Sequence, residues 1–230
     1  MRRHFGFKAA GISLFMWAFF VGYFHVLRHP VYPVFQMPMT ALDHAIPFQP
    51  AGLAAYVSLW LYVGVPPGLL WTLRELVVYG VWAGALCLTG LAFFYFLPTA
   101  VPPLSLDIDL TQHAGFAVLQ GVDASGNACP SLHVATATFS AIWIAHLLRG
   151  MQAPRTLGAI SLLWLALIVW STLAIKQHVA LDALAGAALG ALFAAASLRW
   201  RTEAAARMRR HFGFKAAGIS LFMWAFFVGY

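Results

Sequence analysis

The sequence predicts an all-α integral membrane fold, a six-transmembrane-helix bundle, on three observations. The 230-residue chain is 62% hydrophobic and only 9% charged, with a mean hydropathy of +0.79, whereas soluble domains carry about 25% charged residues. Its apolar residues fall into six stretches, each near the roughly 20 residues a helix needs to cross a bilayer. Its basic residues gather at the ends of those stretches, the pattern that orients membrane proteins. The net charge of +7 is therefore a topology signal, and no nucleic-acid partner is expected.

Taken in order, the stretches cover 9–27, 53–73, 77–97, 132–149, 156–176 and 178–198. The second contains Pro66-Pro67, which should kink or break it near its inner end, because proline lacks an N–H and clashes with the preceding turn. The fourth is preceded by Pro130, which should open that helix. The sixth holds Gly186 and Gly190 in a G-x-x-x-G frame beside Ala183, Ala187 and Ala194, a spacing that lets helices approach closely. Cys87 falls mid-span and Cys129 in a loop, so no disulfide is expected between them. The aromatic residues read as core and interfacial belts. Residues 208–230 repeat residues 1–23 without one difference. Natural repeats drift and recur at shorter periods. The second copy thus reads as an expression scar or a concatenated reading frame, leaving 1–207 as a single membrane-embedded domain.

The basic residues set the orientation. With the N-terminus cytoplasmic, Arg2, Arg3, Lys8, Arg74, Arg149, Arg155, Arg199, Arg201 and Arg207 fall inside, with Arg209, Arg210 and Lys215 of the copy. Only Arg28 and Lys176 fall outside. No cleavage site follows Arg2-Arg3, so the first span stays attached, and the cell inner membrane is the expected location. Two external loops result. The first, 28–52, is proline-rich and carries Arg28, His29, Asp43 and His44; Asp43 and His44 either order this loop over the site or cap a turn. The second, 98–131, lacks Lys and Arg and predicts a surface helix over 112–120, capped by Thr111 and stopped by Gly121.

The chemistry centres on residues 171–182, S-T-L-A-I-K-Q-H-V-A-L-D. His178 and Asp182 are four residues apart, so on a helix they share one face. Ionisable groups in an apolar span mark function, because burying them is costly. The topology puts His178 and His133 at the outer ends of two spans, at the same depth. One histidine can attack phosphorus while another protonates the departing oxygen. His178 reads as the nucleophile, Asp182 as the carboxylate fixing its tautomer, and His133 as the acid. The helix start at Pro130-Ser131-Leu132 offers N–H groups and a hydroxyl to a phosphate, and Lys176 a positive charge. Arg28 is either a phosphate or head-group ligand or an interface anchor. His25, His29, His44 and His113 read as interfacial or loop histidines, and His146, near the inner end of the fourth stretch, is assigned no role. Asp107, Asp109 and Asp123 match no Ca²⁺-loop spacing.

P-S-L-H (130–133) and S-T-x5-H-x3-D (171–182) resemble the second and third signature motifs of the type 2 phosphatidic acid phosphatase superfamily. That resemblance implies six spans, an active site at the extracytoplasmic face, a phosphohistidine intermediate, a lipid phosphate substrate, and no metal or other cofactor. It carries Ser131, Leu132 and Ser171 over as phosphate-binding positions. The usual motifs are P-S-G-H and S-R-x5-H-x3-D, so Leu132 stands for a glycine and Thr172 for an arginine, and no K-x6-R-P first motif is present. With L-D-H-A-I-P-F (42–48), P-T-A-V-P (98–102) and K-Q-H (176–178), the form is similar to the inositol phosphorylceramide synthase branch. The acceptor, water or an alcohol, stays open. The alternatives outside phosphoryl chemistry are a histidine-ligated haem electron carrier, for which His133 and His178 could serve, and a transporter. A transporter would rather place ionisable groups near the midplane.

Overall fold

The structure is a computed structural model that describes residues 5–70, 72–103 and 127–199. The helix expected over 112–120, His113, Asp107, Asp109 and Asp123, and the repeated segment 208–230 lie outside these residues. The described chain is helical apart from two short strands: α1 (Phe5–Arg28), β1 (Phe35–Gln36), α2 (Ala41–Ala45), α3 (Gly52–Val57), α4 (Leu59–Leu69), α5 (Leu73–Phe96), β2 (Thr99–Ala100), α6 (Leu132–Gly150), α7 (Arg155–Ala174) and α8 (Ala180–Arg199).

Among the described residues, four segments are long and apolar enough to cross a membrane: Gly52–Leu69, Leu73–Phe96, Arg155–Ala174 and Ala180–Arg199. The sequence suggested six. In α1 the apolar run is shorter, Ser13–Arg28. α6 misses for a different reason: it is the centre of the bundle. Val134, Ala135, Ala137, Phe139, Trp143 and Leu147 are all buried along it, so it can carry His133, Thr136, Ser140 and His146 without offering them to lipid.

α6 packs most extensively on α8, then on α7 and α4. The α6–α8 contact is the close approach that the G-x-x-x-G frame predicts. A methyl group on Gly186 would overlap the Ser131 carbonyl oxygen, and one on Gly190 the Ala135 carbonyl oxygen. Trp143 Nε1 donates to Ser197 Oγ at 2.9 Å, fixing the other end of the same pair. Both cysteines are free thiols.

Helix boundaries depart from expectation in three places. Pro66 and Pro67 lie inside α4, which runs on to Leu69, the Leu70 N–H closing on the Pro66 carbonyl. The interruption falls instead at Ser58, whose hydroxyl donates to the Ala55 carbonyl at 2.6 Å and accepts from Trp164 Nε1 at 2.8 Å. A serine bonded back to its own helix competes with the regular ladder. Pro130 precedes α6 rather than opening it, and Ser131 is the cap, accepting from the Val134 N–H at 3.3 Å. His178 stands in the turn before α8, not on the helix. α7 closes with Lys176 at φ 60°, the Lys176 and Gln177 N–H groups returning to the carbonyls of Leu173 and Thr172. This is a Schellman closure with lysine where glycine is usual.

Candidate active site

Four segments distant in sequence meet at one end of the bundle. The strands pair in parallel, Phe35 opposite Thr99 and Gln36 opposite Ala100. Thr99 in turn holds the approach to α6: its carbonyl accepts from the Ala128 N–H at 3.2 Å and its hydroxyl from the Cys129 N–H at 2.8 Å. The Ser131 N–H donates to the Asp182 carbonyl at 3.0 Å, joining the two motifs directly. His133 and His178 are thereby brought to the same end, as the sequence suggested.

Asp182 is fully buried, and its Oδ2 lies 3.6 Å from His178 Nδ1, whose side chain is 11% exposed. That oxygen also accepts from the Val179 N–H at 2.9 Å. Among the described residues, Asp182 Oδ1 and His178 Nδ1 have no hydrogen-bond partner. The carboxylate thus stands behind the imidazole at ion-pair distance and leaves Nε2 for chemistry. His133 is held differently. Its Nε2–H donates to the Tyr56 carbonyl at 3.0 Å, and its ring stacks on Tyr56, centroids 3.8 Å apart at 12°. With Nε2 so engaged, Nδ1 is the nitrogen left to exchange a proton. Nothing in the sequence marked Tyr56; its role comes from a helix 77 residues away.

Both rings line one half-open cavity of about 780 Å³ between α1, α4, α5 and α6. Away from the histidines its wall is apolar: Phe15, Phe19, Trp60, Val63, Leu76 and Leu86. Leu132 also lines it. A methyl on Gly90 would overlap the outer carbons of Leu132, so α5 supplies the room that the larger side chain needs.

The remaining expected residues are placed as follows. Ser171 and Thr172 are fully buried, and their hydroxyls bond back to Ile168 and Val169 of their own helix. Arg28 is exposed at the end of α1 with its guanidinium 5.5 Å from the Phe24 ring centroid. Lys176 turns towards the first loop, donating to the carbonyls of Asp43, at 2.8 Å, and Ile46. Burial pulls its ammonium below the usual lysine range, while the Asp43 charge opposes that. Asp43 both caps and orders: its Oδ2 accepts from the Thr40 N–H and hydroxyl, each at 2.7 Å, and its Oδ1 from the Ala180 N–H at 2.7 Å. The T-x-x-D spacing of Thr40 and Asp43 was the sequence signal for the first role. Nothing local signalled the second.

Membrane-length apolar helices surround a buried His–Asp pair that shares a cavity with a second histidine, and a family match supports a function of the phosphatase or phosphotransferase type. The chain belongs to the PAP2 superfamily, which it matches over residues 10–206, and members of that superfamily are generally phosphatases. Neither the curated proteins nor the solved structures compared give a match.

Proposed function

We propose that the protein cleaves a phosphate ester of a membrane lipid through a phosphohistidine formed on His178. The observation that carries this reading is the apolar cavity with His133 and His178 in its wall: a hydrocarbon chain fits its aromatic and aliphatic surface, and a phosphate its polar edge. His178 Nε2 attacks phosphorus as Asp182 stabilises the imidazolium, and His133, which takes up a second proton on Nδ1 when the anionic phosphate binds, gives that proton to the leaving oxygen. The separation of 3.6 Å in the free enzyme closes when charge develops on the ring, as catalytic hydrogen bonds commonly tighten in the complex. The N–H groups of Leu132 and His133, at the positive end of α6, receive the phosphoryl oxygens. Six crossings are proposed, with α1 and α6 joining the four longer apolar segments, and the site on the extracytoplasmic side of the cell inner membrane.

A second reading, transfer to an alcohol as in inositol phosphorylceramide synthases, is favoured by one observation. The segments that carry that likeness are physically joined: Asp43 and Ile46 of 42–48 receive Lys176 of 176–178. Such a layer beside the histidines is where an acceptor other than water would be held.

The test is reconstitution with a panel of lipid phosphates, with and without candidate alcohols, for wild type and His178→Ala. Release of phosphate or formation of the transfer product should disappear in the variant, and acid-labile label should accumulate only on wild type. Full activity in His178→Ala would end this reading.

A further inference from the structure

We propose that Asp43 is a positioning residue of this reaction: its carboxylate, tethered through Lys176, caps α8 so that Asp182 remains behind His178. The inference rests on the phosphoryl-transfer reading and adds a residue that neither motif contains.

The start of α8 leaves its first N–H groups without intrahelical acceptors and has a poor cap. Val179, at the cap position, has no side-chain acceptor. Asp182 takes the Val179 N–H and Asp43, reaching in from the first loop, takes the Ala180 N–H. If Asp43 were absent, the Ala180 N–H would lack its acceptor. Asp182 Oδ1, on the same turn and without a partner, would be the group to recruit. A carboxylate drawn into ordinary capping would turn away from His178 Nδ1.

The surroundings of Asp43 are consistent with a built tether. Its side chain is 4% exposed, and both oxygens are engaged. Lys176 grips the Asp43 and Ile46 carbonyls, and three residues on the Gln49 N–H donates to the Ala174 carbonyl at 2.9 Å. The 40–49 segment therefore holds the α7–α8 turn on both sides of His178. Lys176 does so from φ 60°, where glycine would be relaxed. Retaining a strained lysine is understandable if its ammonium is needed there.

The full chain in lipid nanodiscs should be assayed as wild type, Asp43→Ala, Lys176→Gly and His178→Ala, with whichever lipid phosphate wild type turns over. Amide hydrogen exchange over 176–183 is followed in parallel. Asp43→Ala should lower kcat roughly 10- to 100-fold, with KM within about twofold because the cavity is unchanged, and accelerate exchange at the start of α8. Lys176→Gly, which eases the backbone while cutting the tether, should lower kcat without lowering the melting temperature. An unchanged kcat per folded Asp43→Ala molecule, or unchanged exchange, would overturn the proposal. So would a raised KM at constant kcat, which would put the pair on the substrate. Should Asp43→Ala fail to fold, Lys176→Gly decides alone. Activity retained in His178→Ala would instead sink the phosphoryl-transfer reading, leaving exchange to judge the cap.

Discussion

At the residue scale, the His178–Asp182 pair gives the sharpest expectation. Asp182→Asn keeps the size and an acceptor for the Val179 N–H, so the turn should survive. It removes the charge that fixes the imidazole, a loss that costs about 10⁴ in kcat in a serine-protease triad. A fall of at least about 10³ in kcat with near-constant KM is expected from steady-state kinetics. Gly90 and Leu132 make a second, structural pair. Gly90→Ala should destabilise the protein by roughly 1–3 kcal/mol through overpacking, and Leu132→Ala by about 2–5 kcal/mol through the void it leaves. The double variant, measured by thermal melts, should be more stable than the sum of the two predicts. The residues proposed to carry the chemistry were legible in the sequence because His133, His178 and Asp182 are polar groups where apolar ones are expected. Tyr56 and Gly90 were not, since an aromatic ring and a glycine are ordinary in such helices. Only their neighbours, far along the chain, give them a role.

At the element scale, the α6–α8 contact transmits position to the site. Ser131 bonds the Asp182 carbonyl, and the backbone of α6 rests where Gly186 and Gly190 have no side chain. Gly190→Val should push α6 outward and move His133 relative to His178. A shift near 1 Å suffices for about a 100-fold loss of turnover, and a lower melting temperature should accompany it. A normal melt with normal kcat would show that the contact has slack. The G-x-x-x-G frame announced this packing because small residues have little other use at that period. Hydropathy alone understates α6, since a helix surrounded by other helices need not be apolar all round. In the second stretch, the paired prolines drew attention from Ser58. The proline ring is visible in a sequence, but the Trp164 partner that Ser58 needs is not.

At the scale of the whole molecule, the site and the arginines of α6, α7 and α8 lie at opposite ends. His133 precedes the body of α6 and His178 precedes α8, whereas Arg149 ends α6, Arg155 starts α7 and Arg199 ends α8. An asymmetry of this kind orients a bundle with its basic end towards the cytoplasm, and the proposed topology has the histidines on the other side. Labelling intact cells with a membrane-impermeant maleimide checks this, using Val31→Cys near the site end and Gln152→Cys at the basic end, both exposed positions. The native thiols should stay silent. Cys87 is buried, and burial, with the nearby charge of Asp182, pushes the Cys129 thiol up to about 11, leaving it protonated and unreactive at neutral pH. Val31→Cys should label from outside, and Gln152→Cys only after permeabilisation. The reverse pattern would place the histidines in the cytoplasm, and the substrate would then be drawn from the inner leaflet.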